Sequence, residues 1–272
     1  MLLSLPFSDD EAFVLVVSLG LALVAWIWWY HGLRAGRKLR SNRAPRRALA
    51  LVPLVALVVL YLVLARWASF DVRDSGPYLF QYLALGAAWV GTAAHAFAWL
   101  GTSARDDVAE RENAAAAAAL AGALLGVMLC FAGGNIGDGP GWWVVVFSSG
   151  LATLAFFVLW GVLEGAAHPS DAVTIDRDLA AGVRLGAFGV AQGIVLGRAA
   201  AGDWKSAGAT LADFATNGWP ALALLVAAIV FERALRPSPE APRRALFLGG
   251  VVPGVLLLAG ASCWIAWIGV GP

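Results

Sequence analysis

The chain is poor in charge. Only 14% of its 272 residues are Asp, Glu, Lys or Arg, while 60% are hydrophobic. A soluble domain carries roughly 25% charged and 45–50% apolar residues, so too few polar residues are present to clothe a solvated globule of this size. The net charge of +1 removes the global field that nucleic-acid binding needs, and no nucleic-acid partner is expected. Cysteine is nearly absent: Cys130 and Cys263 lie in separate apolar stretches without C-x-x-C spacing, which excludes a disulfide framework and leaves two small buried hydrophobes. The three histidines form no metal-ligand spacing. There is no phosphate-binding loop, H-E-x-x-H or dinucleotide fingerprint. Ser148 and Ser149 follow Phe147 without a G-x-S-x-G elbow or a nearby base. The chain is therefore expected to be no enzyme, with no cofactor and no metal.

What is abundant is long apolar sequence. Eight segments read as membrane-spanning helices: Ala12–Tyr30, Ala48–Leu64, Tyr78–Leu100, Ala114–Phe131, Trp142–Leu163, Leu179–Ala200, Trp219–Ala234 and Ala245–Ile268. Basic residues fall in alternate connections. The first holds Arg34, Arg37, Lys38, Arg40, Arg43, Arg46 and Arg47; the third Arg105 and Arg111; the fifth Arg177; the seventh Arg233, Arg236, Arg243 and Arg244. The other connections hold Arg66, Arg73 and Lys205. Positive charge is retained in the cytoplasm, which predicts these four connections inside and both termini outside. Tryptophans cluster near the predicted ends, as an interfacial belt would; an aromatic ligand cage at Trp26–Trp29 is the alternative.

Ala44-Pro-Arg-Arg-Ala-Leu49 recurs as Ala241-Pro-Arg-Arg-Ala-Leu246. Glu110–Ala115 and Ile175–Ala180 occupy the same place before the fourth and sixth helices. The expected fold is thus all-α: one transmembrane domain over residues 1–272, made of four tandem parallel hairpins at about 12–68, 78–132, 142–200 and 218–268. Gly182, Gly186, Gly189, Gly193 and Gly197 fall within about 80° of arc at ~100° per residue. Gly122 and Gly126 lie on a similar stripe of the fourth helix, and Gly250 and Gly254 on the eighth. Small residues let helix backbones approach in lipid, so these stripes are expected to be packing faces; a pore wall is the alternative. The second helix, rich in Leu and Val, is expected to face lipid or a second subunit.

Asp107–Gly126, a charged segment and an Asn followed by Ala-rich, Gly-containing helix, resembles the repeat of the YjfL-like bacterial inner-membrane family, and Val173–Gly182 is similar to a second copy with Asp178 in place of the Asn. The resemblance covers about residues 78–204, with the flanking hairpins as a degenerate further unit. It implies a polytopic inner-membrane protein with no assigned reaction.

Charge at mid-membrane costs at least ~2.5–3.5 kcal/mol and marks function, yet no acid lies mid-span. Arg184 and Arg198 are expected to snorkel from the sixth helix toward opposite headgroup layers. Gln192 and His95 are the candidate polar lining residues if a pathway exists; each is otherwise an interhelical hydrogen-bonding group. The cluster Arg34–Arg47 has the density that attracts anionic headgroups, or it serves only to fix topology. The expected role is a structural or accessory membrane component that forms a homo-oligomer or joins a membrane complex and contacts lipid or a partner; the alternative is a channel or transporter for a small solute.

Overall fold

The computed structural model describes residues 7–34, 43–238 and 245–270. The described residues form eleven α-helices: α1 (Asp9–Arg34), α2 (Ala44–Trp67), α3 (Phe70–Arg73), α4 (Gly76–Ala94), α5 (Ala114–Gly133), α6 (Trp142–Ala167), α7 (Pro169–Thr174), α8 (Leu179–Ala200), α9 (Ala207–Gly218), α10 (Pro220–Ala234) and α11 (Val252–Ile268). A 3₁₀ turn, His95–Ala98, continues α4, and π-helical turns at Ala104–Glu110 and Phe247–Val251 precede α5 and open α11. Among the described residues there is no strand, only an isolated bridge between Ala68 and Gly137.

Among the described residues six helical segments are long and apolar enough to cross a membrane: α1, α2, α5, α6, α8 and Phe247–Ile268. A seventh results if α9 and α10, bent by 41° at their junction, count as one span. The junction has a cause in sequence. Gly218 ends α9 and Pro220 begins α10, and proline removes a helix donor and clashes with the preceding turn. α10 alone has 15 residues, a rise of about 22 Å at 1.5 Å per residue, short of the roughly 30 Å hydrocarbon core. The segment expected at Tyr78–Leu100 is not among the six. Its α-helix, Gly76–Ala94, has 19 residues against 20 for α5, so length is not the reason; Tyr78, Gln81, Tyr82, Trp89 and Thr92 make it less apolar, and after Ala94 it tightens into the 3₁₀ turn.

α5 and α8 form the centre. Within their most apolar stretches 72% of residues are buried, against 22% for α1, which separates an inner layer from an outer one. The helices run parallel and touch backbone to backbone. A Cβ built at Gly182, Gly186, Gly193 or Gly197 would land on the carbonyls of Ala115, Ala118, Gly126 and Leu129 in turn. From the other side, a Cβ at Gly122, Gly126 or Gly133 would strike the carbonyls of Gly186, Gly189 and Gly197. Gly189 lies over the backbone of Ala123.

The remaining helices wrap this pair. α2 lays Leu49, Val52, Ala56, Leu60 and Leu64 inward and leaves Leu51, Leu54, Val55, Val58 and Leu62 exposed. It is thus half core and half outer surface. α11 rides on α8, with Gly250 over Ala180 and Gly254 against the Ala187 methyl. α6 brings Phe156 and Trp160 to Phe97 and Phe188. α1 crosses α4 where Gly91 meets Ala25 and Trp26.

Contacts gather at two ends. At one, Gly32 lies against Arg105, Asn113 donates to the Val173 carbonyl, Arg233 to that of Ala166, and Arg236 pairs with Asp171. At the other, Trp142 donates to Asp10, Gly202 to the Ile136 carbonyl, and Trp264 to that of Asn217. Tyr30 near the end of α1 donates to the Ala50 carbonyl at the start of α2, so Arg43–Arg47 and Arg233–Arg236 share an end of the bundle.

Candidate functional site

The arginine-bearing end is organised by two matching helix starts. Glu112 and Arg177 both take left-handed backbone, at φ 57° and 53°. Each reverses the chain so that the next residue becomes an N-cap. Asn113 Oδ1 accepts from the N–H groups of Ala115 and Ala116, and the Asp178 carboxylate from those of Ala180 and Ala181. An Asn or Asp oxygen satisfies the donors that a helix start leaves open. Asn113 Nδ2 also donates to Val173 O at 2.7 Å, tying the two starts together. α2 begins differently, with Arg43 at its N-cap, whose own side chain makes no capping hydrogen bond.

Near the start of α8 sits a buried ion pair. Arg184 Nε and Nη2 donate to the two carboxylate oxygens of Glu232 on α10, at 3.0 and 2.8 Å, with side-chain exposures of 1% and 5%. Arg184 Nη1 donates to the Gly249 carbonyl in the π-helical turn. The expected snorkelling of Arg184 is corrected here. The residue does project away from the glycine stripe, but α10 and α11 close over that face, so the guanidinium finds an acid instead of headgroups. Arg198 is half-buried and donates to Gly269 O at 2.5 Å. A bidentate Arg–carboxylate pair is the strong form of ion pair, and here it locks three helices together.

The two candidate lining residues do not meet. Gln192 is fully buried in α8; its Nε2 donates to Ala221 O of α10 at 2.8 Å, and its Oε1 has no partner. His95 sits in the 3₁₀ turn, exposed, with Nε2 3.2 Å from Ala25 O of α1. Gln192 thus turns to α10 and His95 to α1. The Trp26–Trp29 group forms no cage. Trp26 Nε1 donates to Ala87 O, Trp29 is buried, and Trp28 points outward.

Of the basic cluster, Arg37, Lys38 and Arg40 lie outside the described residues, as do Arg243 and Arg244. Arg34, Arg43, Arg46 and Arg47 surround a cavity of about 420 Å³, together with Tyr30, Leu33 and Ala50. Tyr30 Oη donates to Ala50 O at 3.0 Å and braces its wall. Arg46 Nη1 is shielded from solvent and makes no hydrogen bond among the described residues. No group of His, Cys, Asp or Glu among the described residues could hold a metal ion.

No family model, curated protein or solved structure matches this chain. Sequence reasoning missed the Arg184–Glu232 pair, which joins residues far apart in the chain. It also missed the caps at Asn113 and Asp178, although an Asx residue ahead of an Ala-rich run is an N-cap signal.

Proposed function

We propose that this chain is a non-enzymatic accessory component of a bacterial inner membrane. In this reading it crosses the bilayer eight times as four like-oriented hairpins, with both termini outside. α1, α4, α6 and the α9–α10 pair go in; α2, α5, α8 and α11 come out. It assembles with copies of itself or within a membrane complex, and its inner connections engage anionic headgroups. The matched caps of α5 and α8, with the left-handed residue before each, support a duplicated unit, and with it the YjfL-like resemblance of Asp107–Gly126.

The observation that carries the reading is the closed centre. Glycines of α5 and α8 meet carbonyl to Cα along their length, which leaves no polar passage between the central helices, and Gln192 and His95 face different neighbours. A channel or transporter for a small solute has one observation in its favour, the unpartnered Oε1 of buried Gln192. Proteoliposomes separate the two. Solute and ion flux should stay at the level of protein-free vesicles, and saturable uptake that is lost on Gln192→Ala or His95→Ala would overturn the accessory role.

A further inference from the structure

From Ala12 to Phe70 the chain holds no Asp or Glu. Arg34, Arg43, Arg46 and Arg47 therefore have no acid in their own hairpin, and none lines their cavity among the described residues. Of the three acids in the nearby π-helical turn, Glu110 pairs with Arg105 and Asp107 with Arg111, and the exposed Asp106 does not line the cavity. Arg46 Nη1 is removed from water without an acceptor among the described residues, a state that buried donors rarely tolerate. Both deficits call for the same thing, an anion with several acceptor oxygens. Phosphate suits the guanidinium fork.

The cavity does not stand alone. Through Tyr30 and Arg34 it adjoins a second hollow of about 580 Å³ along α1, walled by Leu19, Leu23, Trp26 and Ile27. Leu23 and Ile27 are exposed there. A ligand that fits both is anionic at one end and hydrocarbon at the other.

We propose that this hairpin binds one anionic phospholipid, its phosphate held by Arg34, Arg43, Arg46 and Arg47 and an acyl chain lying in the hollow along α1. The inference rests on the headgroup-binding reading above and narrows it from surface attraction to a defined site.

Native mass spectrometry of the detergent-solubilised full chain tests it, with phosphatidylglycerol, phosphatidylcholine and glycerol phosphate as probes. A single phosphatidylglycerol adduct is expected, weakened about tenfold by Arg46→Gln/Arg47→Gln through loss of two charge-assisted contacts; phosphatidylcholine should bind more weakly, and glycerol phosphate should not compete. Full competition by glycerol phosphate would mean a free-anion site and overturn the lipid assignment. If the double variant keeps its preference while Arg37→Gln/Lys38→Gln/Arg40→Gln loses it, the site falls and general headgroup attraction stands. Equal binding of both phospholipids by the unaltered protein defeats both readings, and that arm decides even where the double variant fails to fold.

Discussion

Arg184 grips both carboxylate oxygens of Glu232 with neither side chain reaching solvent. Removing one partner strands the other charge, which in buried pairs costs roughly 3–5 kcal/mol, whereas replacing both with apolar residues of similar volume is often neutral. Glu232→Ala should therefore destabilise strongly in detergent-driven unfolding, and Arg184→Met/Glu232→Leu should recover most of the loss. A Glu232→Ala protein as stable as its parent would show that water reaches the pair.

The glycine seam makes a sharper demand. Gly189 lies over the backbone of Ala123, and a Cβ at Gly126 would strike the carbonyl of Gly189. Backbone cannot withdraw as a flexible side chain can, so Gly189→Leu or Gly126→Val should abolish folded protein in size-exclusion profiles. Gly161, in α6, has nothing within 4 Å of its built Cβ. Gly161→Ala should instead stabilise by about 0.5–1 kcal/mol through helix propensity.

Asn113 does two jobs that substitution can separate. Asn113→Asp keeps the acceptor for Ala115 and Ala116 but loses the donor to Val173. Asn113→Ala loses both. Cap loss costs about 0.5–2 kcal/mol, and a lost hydrogen bond about 1 kcal/mol more. Thermal midpoints should fall in the order parent, Asp, Ala; an Ala variant as stable as the Asp variant would mean the cap contributes nothing.

Arg177 holds left-handed backbone at φ 53°, a conformation that costs an L-residue ~1–2 kcal/mol and glycine almost nothing. Arg177→Gly should raise the thermal midpoint and Arg177→Val should lower it. The reverse order would show that the Arg177 side chain, and not the turn, sets stability here.

The sequence carried the centre of the fold because lipid leaves helices few ways to associate. Once hydrophobicity no longer distinguishes inside from outside, close packing selects small residues, and the spacing from Gly182 to Gly197 is directly readable. Arg184 was not readable. Angular position on one helix says which way a side chain points but not what covers that face, and Glu232 and Gly249 arrive from α10 and α11. The end of α4 misled for a related reason. Phe97-Ala98-Trp99-Leu100 is as apolar as a membrane span, yet the chain there leaves the α-helix for a 3₁₀ turn, with Phe97 packed on Trp160 and Trp99 exposed. α9 escaped notice because Thr210, Asp213, Thr216 and Asn217 interrupt its apolar residues, so its hydropathy resembles that of a connection.

The bend at Gly218–Pro220 reaches beyond the helices it joins. If the bundle stands in a bilayer, the flank formed by α10 offers a shorter greasy wall than the flank formed by the 26-residue α1. Hydrocarbon must match the wall it touches, at a cost of fractions of a kcal/mol for each ångström of disagreement. Lipid around this protein would then be unequal in depth from one side to the other, pinched beside α10 and full beside α1, and short-chain lipids or a neighbouring protein would gather on the pinched side.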